Sequence, residues 1–145
     1  MTASAPDQFP QVESILVIDD DDNWCFVTKR LLIRANACNT ILTAQNGLEA
    51  LRKLEELTAQ GENMPDIIFL DIKMPVMDGF GFLSALESNA HLDLSQTKIY
   101  ICSSSLHPKD KETAARYKVA GFINKPLTKD TLQHILQQNA ASDKE

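Results

Sequence analysis

Asp71 lies in the stretch Leu70-Asp71-Ile72-Lys73-Met74-Pro75-Val76-Met77-Asp78-Gly79, directly after the apolar run Ile67-Ile68-Phe69-Leu70. A short continuous run of this kind is expected for a strand buried on both faces of a parallel sheet. A carboxylate at the end of such a strand is costly to bury unpaired, and the carboxyl ends of strands in open α/β sheets are where ligands bind. Pro75 stops the strand and Gly79 permits a tight reversal, so Asp71 is expected on a constrained, outward-facing loop. Three other apolar runs end in polar groups. Ile15-Leu16-Val17-Ile18 leads into four aspartates, Asp19 to Asp22. Ile99-Tyr100-Ile101-Cys102 leads into Ser103-Ser104-Ser105, and Gly121-Phe122-Ile123-Asn124 into Lys125-Pro126. Neighbouring parallel strands would gather carboxylates, hydroxyls and an ammonium in one crevice, a kit for handling a charged group.

The elements that must position these residues can be read along the chain. A helix is expected from Asn23, with Trp24, Val27, Thr28, Leu31 and Ala35 at helical spacing and an acidic start suited to the helix dipole. Residues 40–44 read as a strand, and Leu48, Leu51, Leu54 and Leu57 as the stripe of a helix ending near Gly61. Further helices are expected over 80–88 and, from Pro108 at a first helical position, over 108–118 with a thin apolar face. Thr128 can cap a last helix, with Leu127 and Leu132 as a hydrophobic staple and Leu132, Ile135 and Leu136 facing the core. Residues 1–13 read as a flexible leader, and fraying is expected from Asn139. Five strands alternating with five helices imply an α/β fold, a doubly wound parallel sheet.

Composition narrows the function. The 145 residues suit one domain. With 14 Lys plus Arg against 20 Asp plus Glu, the net charge of -6 offers no footprint for nucleic acid. No apolar run approaches the ~20 residues of a membrane span, and no targeting segment is evident, so a soluble cytoplasmic protein is expected. Cys25, Cys38 and Cys102 have no metal-site spacing and read as small buried or half-buried residues of a reducing compartment. His91, His107 and His134 are scattered and form no site pattern.

Taken together, the acidic pair Asp19-Asp20, the Asp71 loop with Met74-Pro75 and Asp78-Gly79, Ser103, Phe122 and Lys125-Pro126 resemble the receiver domain of two-component response regulators. The resemblance spans residues 14–138, leaving 139–145 as a tail. It implies a flavodoxin-like sheet of strand order 2-1-3-4-5, with Asp71 as phosphoryl acceptor. It further implies Mg²⁺ held directly by Asp20 and Asp71, through water by Asp19, and by the Lys73 backbone carbonyl, since clustered carboxylates would otherwise repel an incoming phosphate. Lys125, the Ser103 hydroxyl and the Ser104 N–H would contact the phosphoryl oxygens, Ser103 and Phe122 would carry the switch, and Lys125-Pro126 would be a cis peptide. The implied donor is a phosphohistidine on a sensor histidine kinase or histidine phosphotransfer protein. The implied reader is a separate downstream protein or a second copy of the chain, because the chain ends about where the domain does.

The same residues admit other readings. Asp21 and Asp22 are better read as capping or solvated groups, and Ser105 as a turn residue. Phe122 alone would be a core or edge-strand aromatic. An EF-hand beginning at Asp19 fails at Trp24, where glycine is required, and at Arg30, where a glutamate should stand. A haloacid-dehalogenase-type phosphotransferase wants a second acid two positions after Asp71, where Lys73 stands. A degenerate, constitutive receiver would not be expected to keep every acidic, hydroxyl and lysine position.

Overall fold

The alternation of apolar runs and amphipathic stretches becomes ten elements in this computed structural model, which describes residues 10–104 and 106–143. In chain order they are β1 (Val12–Ile18), α1 (Asp22–Arg34), β2 (Cys38–Ala44), α2 (Gly47–Ala59), β3 (Ile67–Asp71), α3 (Gly79–Glu87), β4 (Lys98–Ser103), α4 (Pro108–Ala114), β5 (Gly121–Asn124) and α5 (Lys129–Asp143). The strands form one parallel sheet of order β2-β1-β3-β4-β5. This is the expected doubly wound, flavodoxin-like topology.

Alternating side chains of the inner strands feed two cores, as the period of two requires. Ile15, Val17, Ile67 and Phe69 pack with Trp24 and Leu32 of α1 and with Leu132, Ile135 and Leu136 of α5. Their neighbours Leu16, Ile18, Ile68 and Leu70 pack instead with Leu51 and Leu54 of α2 and Phe82 and Leu83 of α3. Both layers are needed. A strand covered on one side only would show polar alternation in place of these unbroken runs.

Helix starts follow the local chemistry. Asp21 Oδ1 accepts the Asn23 and Trp24 N–H groups at 2.9 and 3.3 Å, as a cap of α1 should. Asn46 caps α2, Asp78 caps α3, and Thr128 Oγ1 accepts the Thr131 N–H at 3.2 Å. Each such cap stabilises by about 1 kcal/mol.

Four expectations are corrected. β1 begins at Val12, inside the stretch 1–13 read as leader, because the Val12 N–H pairs with the Ala37 carbonyl and Asp66 Oδ2 accepts from Glu13 and Ser14. The leader up to residue 9, and Ser105, lie outside the described residues. Val27 is exposed, since the buried face of α1 is set by Trp24, Cys25, Thr28 and Leu32. α4 stops at Ala114 and not near residue 118: only Ala114 of the helix is buried, and the Arg116 and Tyr117 N–H groups bond three residues back, tightening the chain out of the helix. α5 runs past Asn139 to Asp143, and Asn139, where fraying was expected, is buried.

One defect of the core generates a test. The Thr28 hydroxyl is 1% exposed as a residue and, among the described residues, is the buried side-chain polar atom that lacks a hydrogen-bond partner. Removing an unmet buried hydroxyl is favourable. Thr28→Val is expected to raise stability by about 1 kcal/mol, seen as a higher urea midpoint at unchanged slope; a lowered midpoint would show that the hydroxyl is satisfied.

Candidate functional site

β1 and β3 are neighbours, and their register places Ile18 beside Leu70. The residues that follow, Asp19 and Asp71, are therefore brought together with Asp20, and carboxylate oxygens of all three lie within 4.8 Å of one another. Asp19 is buried at 1% exposure, Asp71 is half-buried and Asp20 is exposed. Asp19 Oδ1 accepts the Asp21 N–H at 2.9 Å, and Asp71 Oδ1 accepts the Ile72 N–H at 2.9 Å. Asp22 is turned aside, its Oδ1 accepting from Gln45 Nε2 at 2.9 Å. Of the two read from sequence as capping or solvated groups, Asp21 caps α1 and Asp22 bonds Gln45, while Asp19 and Asp20 join Asp71. An all-oxygen set of this kind fits a hard divalent cation such as Mg²⁺.

The positive partner arrives from the far side of the sheet. Lys125 follows β5, its N–H bonds the Ser103 carbonyl at 3.0 Å, and the Lys125-Pro126 peptide is cis. Its Nζ donates to Asp19 Oδ2 at 2.6 Å and stands 3.8 Å from Asp71 Oδ1. Burial works against the ammonium, but the Asp19 hydrogen bond and the Asp19 and Asp71 charges outweigh it, so the Lys125 pKa is raised. For Asp71 the balance runs against the anion. Burial first, and the Asp19 charge second, push its carboxyl up to about 6, with Lys125 and the Ile72 N–H only partly opposing.

Ser103 ends β4, one residue beyond Cys102, which is the register partner of Asp71. Ser104 is exposed beside it. Phe122 pairs in register with Ile101 but is 40% exposed, its ring 5.9 Å from Lys111 Nζ of α4. The aromatic is therefore at the surface and free of the core.

The loop from Asp71 to Gly79 is locked from both ends. The Gly79 N–H bonds the Ile72 carbonyl at 2.8 Å, and a Cβ at residue 79 would collide with the Asp71 carbonyl oxygen. The Met77 carbonyl accepts the Gly47 N–H at 2.8 Å, tying the loop to the start of α2. Val76 has φ 69, a left-handed conformation that a β-branched residue adopts only at a cost of about 1–2 kcal/mol. Sequence reading missed this strain. The available signal was Pro75, which favours a turn whose next residue needs positive φ, but valine there reads as apolar filler. The side chain of Lys73 on the same loop is exposed.

Comparison with known proteins converges on one family. A match to the response regulator receiver domain covers residues 15–137. Over 116 residues the chain is 30% identical to the chemotaxis protein CheY of Bacillus subtilis, covering 80% of this chain and 88% of that one. It is 33% identical over 115 residues to a protein-glutamate methylesterase/protein-glutamine glutaminase of Myxococcus xanthus, covering 77% of this chain but only 30% of that one. Among solved structures, a two component response regulator from Cytophaga hutchinsonii superposes with a TM-score of 0.82 at 29% identity, covering 90% of this chain and 98% of that one. A doubly wound sheet with an acid-lined crevice at its carboxyl edge defines a CheY-like, flavodoxin-like domain. The chain belongs to the response regulator receiver domain family, a family of phosphorylation-dependent signalling switches. No helix among the described residues is long and apolar enough to cross a membrane.

The reluctance of Asp71 to ionise makes stability depend on pH. Unfolded, the group ionises near 3.8; folded, it holds its proton to about 6. Its contribution to stability is thus fully present below 3.8 and is lost as pH rises through about 6. Asp71→Asn, neutral throughout, is expected to be more stable than the parent by up to about 3 kcal/mol above pH 7 and no more stable below pH 4. Equal unfolding midpoints for the two proteins at pH 7.5 would contradict this.

Proposed function

We propose that Asp71 accepts a phosphoryl group from a phosphohistidine on a sensor histidine kinase or histidine phosphotransfer protein, in a Mg²⁺-dependent reaction that changes which partner the domain binds. The observation that carries the reading is the half-buried Asp71 carboxylate, with two further carboxylates within 4.8 Å and the Lys125 ammonium 3.8 Å away.

An Asp71 oxygen attacks phosphorus, the bond from phosphorus to the histidine nitrogen breaks, and the nitrogen keeps the electron pair. With a proton on the other ring nitrogen of the phosphohistidine the leaving group is a neutral imidazole, and the ionised Asp71 nucleophile has no proton to lose, so no general base is required on this chain. The chain's own task is placement and charge. Lys125 supplies positive charge to the transferring oxygens, and the Ser103 hydroxyl and Ser104 N–H donate hydrogen bonds to them. A Mg²⁺ ion, when held by Asp20, Asp71 and the Lys73 carbonyl with Asp19 beside it through water, supplies the charge that lets a phosphate approach three carboxylates. Reversal needs only water, which attacks phosphorus and restores the Asp71 carboxylate with release of inorganic phosphate. The domain is thus a switch that promotes its own loading and clearing.

The readout is local charge. An aspartyl phosphate adds roughly -1.5 to -2 charges at one point if it ionises as other phosphoryl groups do. To matter, that charge must bias an element with two arrangements. Ser103, drawn toward the phosphoryl oxygens, and the surface-lying Phe122 are the residues suited to it. α4 resists little: it has seven residues and only Ala114 buried. The face formed by α4, β5 and α5 is the surface we assign to a downstream protein or a second copy of the chain.

Incubation with a small acyl phosphate should label the parent only when Mg²⁺ is present, and Asp71→Asn should take up no label while staying folded. In the same titration Asp20→Asn should lose Mg²⁺ affinity and Asp22→Asn should not; undiminished labelling of Asp71→Asn would remove the acceptor assignment. Amide hydrogen exchange with and without beryllofluoride should change at Phe122 and α4 as well as in the Asp71 loop. A change confined to that loop would rule out the proposed readout face.

A further inference from the structure

The Lys125 ammonium has a third neighbour. Its Nζ stands 4.8 Å from the centroid of the Trp24 ring, inside the ~6 Å at which a cation is drawn to an aromatic face. Trp24 is well fixed. Its N–H bonds the Asp21 cap in the first turn of α1, and its side chain belongs to the core shared by the sheet, α1 and α5. The Lys125 side chain is only 16% exposed, so the contact is largely shielded from water, where cation–π attraction is strongest. Trp24 is the one tryptophan of the chain.

We infer that Trp24 is a positioning residue for the acceptor site: its indole face holds the Lys125 ammonium at the edge of the acidic cluster while that ammonium changes anionic partners. The inference rests on the reading of Asp71 as acceptor. Lysine is a point charge on a flexible four-carbon stem, and it acts on a transferring phosphoryl group only if it is aimed beforehand. Its present anchors are both carboxylates whose charge is redistributed during the cycle. Asp19 is the 2.6 Å partner and belongs to the set that would surround a cation, and Asp71 at 3.8 Å would become the phosphorylated group. An indole face carries no ionisable proton and is no ligand for a hard cation. Its hold on Lys125 is therefore the same in the free, metal-loaded and phosphorylated states. A saturated side chain of similar bulk would fill the core but give no such hold.

Two measurements test this. In the metal-free wild-type protein, with no phosphoryl donor present, the ring current of Trp24 should shift the Lys125 ε-methylene protons upfield of those of the other lysines. Lys125 ε protons at the ordinary lysine position would overturn the inference, whatever the variants do. The second measurement is the initial rate of labelling by acetyl phosphate at saturating Mg²⁺. Trp24→Met, which keeps an apolar side chain of smaller volume and loses the aromatic face, should be slowed about 3- to 30-fold with Mg²⁺ affinity within about twofold of the parent. Trp24→Phe should restore the rate to within about threefold. Folded Met and Phe variants that label at the same rate would also overturn the inference. If Trp24→Met does not fold, the wild-type spectrum decides alone. Failure of the acceptor reading is separable, since it would appear as labelling that persists in Asp71→Asn while the ring-current shift is still present.

Discussion

Three carboxylates whose oxygens lie within 4.8 Å of one another repel when charged, and a cation among them relieves that repulsion. At an effective dielectric near 20, two like charges about 4 Å apart repel by about 4 kcal/mol. Lys125 answers this directly, with its nitrogen 2.6 Å from the fully buried Asp19 and 3.8 Å from Asp71. Much of the fold serves to make that meeting possible. β1 and β3 must be neighbours for the acids to cluster, and β5 must close the sheet for the lysine to reach them. The strength of the arrangement is also its tension. One ammonium does not neutralise three carboxylates, and the half-buried Asp71 is left reluctant to ionise. A site with excess negative charge, shaped by hydrogen-bonding main chain, is poised to take up further positive charge.

The scaffold around this tension is asymmetric. On the Asp71 side the chain is rigid: Gly79 lies against the Asp71 carbonyl, Met77 is tied to Gly47, and Val76 is held in a left-handed conformation by these constraints. Beyond β4 the hold is looser. α4 is short, and past its end Tyr117 stacks on Phe80 of α3 with ring centroids 6.4 Å apart. A rigid Asp71 loop beside a lightly anchored helix is the mechanical division suited to a switch, because a local change of charge moves what is least restrained.

The parts of this architecture that were legible in the sequence share a cause. β5 stands at its expected residues because Gly121 and Lys125-Pro126 bound the short β-forming pair Phe122-Ile123. The clustering of Asp19, Asp71 and Lys125 was legible because each stands at or just past the end of a strand, where the structure brings them together. Features set by tertiary contact were not. The end of α4 is fixed by main-chain bonds that turn back at Arg116 and Tyr117, although the residues there are acceptable in a helix. The phase of α1 depends on which residues meet the sheet, and Val27 and Leu32 compete on periodicity alone. The contact of Trp24 with Lys125 joins residues far apart in the chain, and no local spacing announces it.

The ion pair between Asp19 and Lys125 spans 106 positions, from the end of the first strand to the end of the last. During synthesis the acids are made early, and their counter-charge emerges only after four strands and most of the domain. Contacts of such long sequence separation are costly in loop-closure entropy, and the Lys125 counter-charge is in place only where β5 is docked. A chain without β5 would carry the acids without their counter-charge. The charge balance of the crevice is completed only by the last strand, so the one ion pair ties the beginning of the sheet to its end.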